Sequence, residues 1–373
     1  MVICLRLFVL FLKCIYFFLK LLPVKNKIVF ISRQSDKPSK DMTMLAKKFN
    51  EKLDGYKCVF VTKKTRKTVS DGIKSIGAML RQCYHLATSR VCITDGYNIP
   101  ISVLKHKKSL KVVQIWHAMT AVKKFGCQCL EDKKKAAIAK VLKMHRNYDY
   151  ITCAAPSMIP VFQKGFGYEK DVFVPIGLPR LDLLTDPGEI IKERIYKRYP
   201  EFKGRKLVLY APTFRENDDY RIDELAARFE QSDYILIVKA HPLTNLSDEL
   251  REKIYTCDMF SAINLLTVAD AVISDYSAFA LEAVAANKPI YLFTYDIDFY
   301  SKHPGINLYP YDDLPGCVHE TAEGIFSAVD SGACTPEIVE SYKQKYLPTT
   351  EGSVTEKLVD FVIDKCLNDD EKV

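Results

Sequence analysis

The amino-acid sequence predicts an α/β protein with two doubly wound domains that face one cleft. Short apolar runs alternate with amphipathic helical stretches from Lys27 onward, a pattern typical of parallel sheets covered by helices. A chain of 373 residues exceeds what one hydrophobic core usually organises. A segment rich in proline and glycine, residues 176–188, interrupts the alternation and indicates a hinge between the domains.

The elements of each half follow from this periodicity. In the first half, strands are expected at 28–32, 58–62, 91–95, 112–116, 150–154 and 172–175, with helices at 40–53, 73–88, 131–146 and after Pro156. In the second half, strands are expected at 207–212, 234–240, 271–274 and 289–293, with helices near 222–231, 246–255, 262–269, 278–287 and 320–330. A last helix near 351–367 is predicted to pack back across the hinge. The predicted domains are an N-terminal helix over 1–24, a first domain over 25–178 and a second over 179–373.

The apolar N-terminus, residues 1–24, has four competing interpretations. A signal peptide needs an unbroken apolar run and a small-residue cleavage site, and both are missing. A transmembrane helix would place Lys13 near the bilayer centre, at a cost of roughly 2.5 to 3.5 kcal/mol. Arg6, Lys13 and Lys20 are spaced by seven residues and share one narrow helical face. This spacing favours an amphipathic helix in a membrane interface, with a helix packed on the protein's own core as the alternative.

Positive charge is concentrated in two segments. The formal net charge is +8, of which residues 1–25 carry +4 and residues 105–146 carry +10, which leaves −6 for the remainder. These segments are expected to face an anionic partner. A membrane surface suits them better than nucleic acid, because few aromatic residues are interleaved with the lysines.

The cysteines and carboxylates show no metal-binding spacing. The twelve cysteines are scattered without a CxxC pair or a Cys/His cluster of zinc type. We therefore expect no bound metal and no other cofactor.

The segment 271–293 carries the first functional hypothesis. It reads as a buried strand, a tight turn through Asp275 and Ser277, a helix and a second strand. With Ser277 as the N-cap, the free N–H groups of the first helical turn would form an anion site above the strand end. Glu282 would then reach a ribose hydroxyl. The plainer alternative is that Ser277 only caps the helix and Glu282 is only solvated.

Polar and basic side chains follow three further predicted strands: His117 with Lys123 and Lys124, Thr213 with Arg215, and His241. A lone histidine after a strand is usually an ordinary surface or hydrogen-bonded residue. Two histidines from opposite domains that open into the same crevice as Ser277 instead indicate a composite site.

Taken in order, the motifs WHAMTAVKKFG, GLPRLD, YAPTFR, KAHP and SDYSAFALEAVAANKPIYLFTYD resemble the CDP-glycerol glycerophosphotransferase family, whose members build wall teichoic acids and related polymers. The resemblance implies a GT-B-like pair of Rossmann-type domains, the first on the acceptor side and the second binding a CDP-polyol. It also implies that residues 1–24 anchor the protein peripherally, as a monotopic protein, to the cytoplasmic face of the cell membrane.

The resemblance further implies transfer of glycerol phosphate or ribitol phosphate from CDP-glycerol or CDP-ribitol to a hydroxyl of a lipid-linked acceptor, with release of CMP. That acceptor would be a polyprenyl diphosphate saccharide or a polyol-phosphate chain. Position and resemblance together make His117 the general base. His241 is the second expected catalytic residue and would stabilise the charge on the reacting phosphates. The residues expected to bind the donor are Thr213, Arg215, Asp275, Ser277 and Glu282, and Lys123 and Lys124 are expected to contact the acceptor or phosphate.

Two alternative functions stay open at this point. A GT-B glycosyltransferase that uses a nucleotide-sugar would present a similar cleft, helix start and Glu282. A noncatalytic, membrane-bound nucleotide-binding protein would keep its cellular role after loss of His117.

Overall fold

The structure is a computed structural model that describes most of the chain. The described residues are 2–64, 69–169, 171–185, 189–213, 215, 219–240, 246–309, 311, 313–348 and 352–368, with the backbone alone for 69–74.

The chain divides into two compact units. The first unit comprises Met1–Met119, Phe125–Arg180 and Thr350–Val373, and the second comprises Thr120–Lys124 and Leu181–Thr349. The passage from Arg180 to Leu181 falls within the predicted hinge.

A six-stranded parallel sheet forms the core of the first unit. Its strands lie in the order β2-β1-β3-β4-β5-β6. They are β1 (Lys27–Ser32), β2 (Lys57–Thr62), β3 (Val91–Thr94), β4 (Lys111–Gln114), β5 (Tyr150–Thr152) and β6 (Phe173–Val174). All side chains of β1 and β3 are buried, as expected for strands covered on both faces.

The helices of this unit before the hinge are α1 (Val2–Leu19), α2 (Lys40–Lys52), α3 (Val69–Thr88), α4 (Ile99–Val103), α5 (Lys133–Val141) and α6 (Ile159–Phe166). The helix predicted over 131–146 ends earlier, because Lys143, His145 and Asn147 have φ values of 46°, 55° and 67°. A left-handed backbone at these residues cannot continue a right-handed helix.

A five-stranded parallel sheet forms the core of the second unit, in the order β11-β10-β9-β7-β8. Its strands are β7 (Lys206–Tyr210), β8 (Tyr234–Val238), β9 (Ala271–Ser274), β10 (Ile290–Phe293) and β11 (Val318–His319). Its helices are α7 (Leu181–Thr185), α8 (Glu189–Arg198), α9 (Ile222–Phe229), α10 (Asp248–Lys253), α11 (Ala262–Leu265), α12 (Phe279–Ala285), α13 (Ile297–Lys302), α14 (Ala322–Asp330) and α15 (Pro336–Tyr346). The α/β class with parallel sheets is thereby confirmed. Sequence periodicity did not predict β11 or the helices α4, α7, α8, α13 and α15, of which α7 lies within the predicted hinge.

The C-terminal helix α16 (Val354–Val362) belongs to the first unit, as expected for a helix that packs back across the hinge, although the predicted bounds 179–373 had placed it in the second domain. The Nζ atom of Lys52 on α2 lies 2.6 Å from Asp360 and 3.0 Å from Glu356. The Phe361 ring packs edge-on against Tyr150, with ring centroids 5.0 Å apart. These long-range contacts assign the C-terminal segment to the first unit.

Helix α1 packs through one face against the rest of the first unit. Val9, Leu12 and Tyr16 are buried, and the Tyr16 hydroxyl lies 2.9 Å from Nδ1 of His106. The helix is also long and apolar enough to cross a membrane by length and composition. One face of α1 is therefore packed on the protein's own core, as the alternative interpretation of the N-terminus predicted.

A short segment within the motif WHAMTAVKKFG, Thr120–Lys124, belongs to the second unit. The N–H group of Lys124 donates to the carbonyl of Gly305 at 2.9 Å. The amide of Asn307 donates to the carbonyls of Ala121 and Lys123, both at 3.1 Å. These bonds tie Lys123 and Lys124 to the second unit, although they precede the hinge in sequence.

Candidate active site

His117 lies at the carboxyl end of the first unit's sheet, just after β4. Its Nδ1 atom is 3.1 Å from the backbone carbonyl oxygen of Asp95, which follows the neighbouring strand β3. A carbonyl oxygen only accepts hydrogen bonds, so this contact forms in the tautomer that carries the ring proton on Nδ1 and leaves the lone pair on Nε2. The Nε2 amino group of Gln34, which also donates, lies 3.3 Å from the same Nδ1 and bonds to it only in the other tautomer; the shorter contact with Asp95 favours the first. The imidazole is thus held through one nitrogen while the other is able to take a proton.

The turn that presents His117 is built on a buried glutamine. Trp116 has a φ of 59°, in the left-handed region that bulky residues rarely adopt. Its N–H group donates to Oε1 of Gln114 at 2.9 Å, and Nε2 of Gln114 donates to the carbonyl of Gly96 at 3.1 Å. A strained backbone conformation persists only where the surrounding structure imposes it, and such conformations are common at functional sites.

His117 is neutral near pH 7. The protein atoms around it lower the pKa of His117 by desolvation, although part of its surface is exposed. The hydrogen bond to Asp95 opposes this shift, and the charge of Arg180 adds to it. A neutral imidazole is the form that acts as a base.

The buried carboxyl group of Asp95 is a feature that sequence reasoning missed. Asp95 is 3% exposed, and the Ser32 hydroxyl donates to its Oδ2 at 2.9 Å. Its Oδ1 is buried and has no hydrogen-bond partner among the described residues. Burial raises the pKa of Asp95 to about 6. The sequence offered one signal for it: Asp95, like His117, comes directly after a strand, where site residues are expected.

Arg180, in the GLPRLD motif, is paired within the first unit. Its backbone N–H and its Nε donate to the two carboxylate oxygens of Asp41 at 2.8 and 2.9 Å. Asp41 is 2% exposed. The Nη2 atom of Arg180 also donates to the backbone carbonyl oxygen of His117 at 3.3 Å. The motif therefore fixes the backbone next to the imidazole, a role that the sequence did not reveal.

In the second unit, Arg215 lies between two carboxylates after strands β9 and β10. It donates to Oδ2 of Asp275 at 2.7 Å and to both oxygens of Asp296 at 3.0 and 3.2 Å. The N–H group of Thr213 donates to both oxygens of Asp275 at 2.9 Å. Arg215 is 5% exposed and Asp275 2% exposed. The predicted residues Thr213, Arg215 and Asp275 are thus brought together, and Asp296 is an additional member that the sequence did not single out.

Lys123 joins this cluster. Its Nζ donates to the Thr213 hydroxyl at 3.3 Å and lies 5.5 Å from the centroid of the Tyr300 ring. Burial lowers the pKa of Lys123, while the charge of Asp275 opposes that shift. Lys124 instead packs against Gly305, whose φ is +89° and where an added Cβ would lie 2.8 Å from the Lys124 side chain. The two neighbouring lysines therefore have different surroundings.

The helix start after β9 differs from the prediction by one residue. Helix α12 begins at Phe279 and Ala278 occupies the N-cap, so Ser277 is not the N-cap. The Ser277 hydroxyl still accepts a hydrogen bond from the N–H group of Phe279 at 3.2 Å. Glu282 lies within α12 and is 8% exposed, so it is not simply solvated.

The remaining predicted residue, His241, lies outside the described residues. Its role stays a prediction. Within the described ranges, no group of three or more His, Cys, Asp or Glu residues could hold a metal ion.

A match to a protein-family model identifies the family. The model, described as CDP-Glycerol:Poly(glycerophosphate) glycerophosphotransferase, matches residues 14–364. The chain belongs to this family. Membership of the glycerophosphotransferase family confirms the predicted enzyme class, a phosphotransferase.

Known relatives of this glycerophosphotransferase-family member span most of its length. The teichoic acid ribitol-phosphate primase of Bacillus spizizenii is 27% identical over 360 residues, which cover 92% of each chain. The teichoic acid glycerol-phosphate primase of Bacillus subtilis is 29% identical over 297 residues, which cover 76% of each chain.

Solved structures show the same fold. The wall teichoic acid polymerase TagF superimposes with a TM-score of 0.72 at 18% identity, covering 93% of this chain and 91% of TagF. The UDP complex of Staphylococcus aureus MnaA gives a TM-score of 0.58 at 13% identity, covering 90% and 96%. At these identities the likeness concerns the fold alone.

Proposed function

We propose that this protein transfers glycerol phosphate or ribitol phosphate from a CDP-polyol to a hydroxyl group of a membrane lipid-linked acceptor, releasing CMP, in the synthesis of teichoic acid or a related polymer. Family membership supports the reaction class. Its relatives include primases named for each of the two polyol phosphates, and a TagF variant has been solved after a CDPG soak.

The observation that carries the mechanism is the hydrogen bond from His117 Nδ1 to the carbonyl of Asp95. It leaves the Nε2 lone pair to take the proton of the acceptor hydroxyl. The acceptor oxygen attacks the phosphorus that bears the polyol, and the bond from that phosphorus to the bridging oxygen of the CMP group breaks. CMP leaves with the bonding electron pair, and the polyol phosphate becomes attached to the acceptor.

The donor site belongs to the second unit in this proposal. The cation of Lys123 is the phosphate contact that the structure supports best, because it lies beside Thr213 in the Arg215 cluster. Arg215 is engaged by Asp275 and Asp296, so it positions the residues after β7 and offsets part of the negative charge of the two carboxylates. Ser277, Glu282 and His241 are assigned to the nucleotide and phosphates of the donor, and Lys124 to the acceptor. We assign no metal or cofactor to the reaction.

Residues 1–24 are assigned to peripheral attachment on the cytoplasmic face of the cell membrane. Apolar side chains on α1, among them Leu7, Leu10 and Phe17, are 57 to 62% exposed. Exposed apolar surface of this kind on one helical face suits insertion into a membrane interface. The arrangement of two Rossmann-type domains about a cleft, as in GT-B enzymes, is part of the proposal and rests on the resemblance.

The test measures CMP release by purified protein from CDP-glycerol and from CDP-ribitol, with and without a lipid-linked acceptor in detergent. Acceptor-dependent release from one donor is the expected result and identifies the polyol. A His117→Gln variant is the matched control and should not release CMP above background. Activity with nucleotide-sugars and none with either CDP-polyol would overturn the proposal in favour of a glycosyltransferase.

A further inference from the structure

Helix α1 carries three distinct faces. Val9, Leu12 and Tyr16 form the buried face. At about 100° of rotation per residue, the basic residues 6, 13 and 20 lie roughly 70° to one side of that face. The middle of the exposed apolar face lies roughly 100° further round. These three residues, Arg6, Lys13 and Lys20, form a basic stripe. The stripe marks the boundary between the face of α1 that packs on the protein and the face that is exposed and apolar.

Two open grooves follow this boundary. One, of about 460 Å³, runs between α1 and α5 and is lined by Arg6, Lys13 and Lys140 with apolar neighbours. The other, of about 530 Å³, is lined by Lys13, Lys20, Lys105 and Lys143, with Asn147 among the remaining residues. Lys13 contributes to both, so the grooves adjoin along the stripe.

The six cations of these grooves have no carboxylate among the lining residues. The ion pairs observed within the described ranges also include none of the six. Like charges gathered in this way repel one another, and a bound anion relieves the repulsion. The lining of the grooves is therefore suited to an anion.

We propose that the grooves beside α1 bind the phosphate groups of anionic phospholipid headgroups. The exposed apolar face directly beside the basic residues argues for a lipid, since Ile3, Leu7 and Phe18 are 62 to 73% exposed. With that face among the acyl chains, the stripe lies at the level of the headgroups. A soluble phosphate polymer would use the cations alone and would leave this apolar face in water. The inference rests on the membrane attachment assigned above and adds selectivity for anionic lipid.

The experiment measures binding of the full-length protein to vesicles of phosphatidylcholine alone and of phosphatidylcholine with phosphatidylglycerol, at one ionic strength. The groove variant carries Lys13→Gln, Lys140→Gln and Lys143→Gln. The matched control carries Lys40→Gln, Lys47→Gln and Lys164→Gln, which remove the same charge from exposed positions of the first unit outside the grooves. Thermal unfolding of both variants checks that they fold.

The wild type should prefer the anionic vesicles, and the groove variant should lose about 100-fold in binding to them, from roughly fivefold per cation. Its binding to neutral vesicles and the binding of the control variant should not change. An equal loss in both variants, or none in the groove variant, would overturn the site. The lipid site would also be overturned by a groove variant that still binds anionic vesicles but no longer binds soluble poly(glycerol phosphate).

The membrane attachment itself is tested separately. A variant with Leu7→Ser, Leu10→Ser and Phe17→Ser should bind both kinds of vesicle more weakly. Wild-type protein that binds neither kind would refute the attachment and the lipid site together. Binding without preference for anionic lipid would refute only the lipid site.

Discussion

The Nδ1 atom of His117 lies 3.1 Å from the backbone carbonyl oxygen of Asp95, at the end of the adjacent parallel strand. The ends of two strands that are separated by a helix in sequence thus favour the tautomer with the proton on Nδ1. The proposed base is held by backbone and not by a second ionisable side chain, so its proton affinity depends mainly on how deeply it is surrounded.

Replacing His117 with Ala should lower turnover by roughly 10²- to 10⁴-fold, the range for loss of a general base. Binding of CDP-glycerol or CDP-ribitol should be retained, because the donor residues lie in the second unit. Acceptor-dependent CMP release and donor titration measure the two quantities. Weaker donor binding with unchanged turnover would instead make His117 a donor ligand.

Replacing Asp95 with Asn should raise the free energy of unfolding at pH 7.5, by up to about 3 kcal/mol. Burial raises the pKa of Asp95 from about 3.9 in the unfolded chain to about 6, so folding at pH 7.5 keeps a charge in a buried site. The wild type regains this stability as the pH falls from about 6 to about 4. The difference between the two proteins should therefore disappear over that interval.

Urea unfolding as a function of pH measures this effect, and Asp54→Asn, at an exposed position, is the control. The backbone carbonyl that holds His117 is unchanged in Asp95→Asn. A variant less stable than wild type at pH 7.5 would show that the ionised carboxylate of Asp95 is stabilised in the fold.

Replacing Arg215 with Ala should lower the free energy of unfolding by about 3 to 5 kcal/mol, because it leaves two carboxylates without their cation. The side chains of Arg215 and Asp275 are 4% and 0% exposed. Arg228→Ala is the matched control, since the pair Arg228–Glu323 is 56% and 59% exposed and should contribute about 0 to 1 kcal/mol. Denaturant unfolding compares them, and equal small effects would mean that the buried cluster is not a stability element.

Replacing Lys123 with Met should weaken donor binding by about 10- to 100-fold, the loss of a hydrogen bond from a charged group to phosphate. Lys124→Met should change donor binding much less, because Lys124 lies along Gly305 and not beside Thr213. Titration with CDP-glycerol and CDP-ribitol compares the two variants. A larger effect at Lys124 would reverse the assignment of the two lysines.

Replacing Leu12 with Ala should cost about 2 to 5 kcal/mol in the free energy of unfolding, as expected for a buried leucine. Leu12 is 0% exposed, whereas Leu10, two residues earlier, is 57% exposed. Leu10→Ala should change stability by less than about 0.5 kcal/mol. Thermal or urea unfolding in the absence of lipid tests whether α1 is part of the folded first unit.

The sequence by itself determined the parallel α/β class, most of the strands and the position of His117. These features are local: a buried parallel strand is a short apolar run, and a polar residue directly after it lies at the edge where ligands bind. The motifs around His117, Arg215 and Ser277 were also sufficient to predict the family, which the match over residues 14–364 confirms.

Only the tertiary structure decided which side chains meet. The pairing of Asp296 with Arg215 and the contacts of Arg180 with Asp41 each join residues far apart in sequence. The assignment of Lys123 to the second unit is of the same kind. Local periodicity records whether a residue is buried, but not which distant residue buries it, because that choice depends on how strands and helices close into a core.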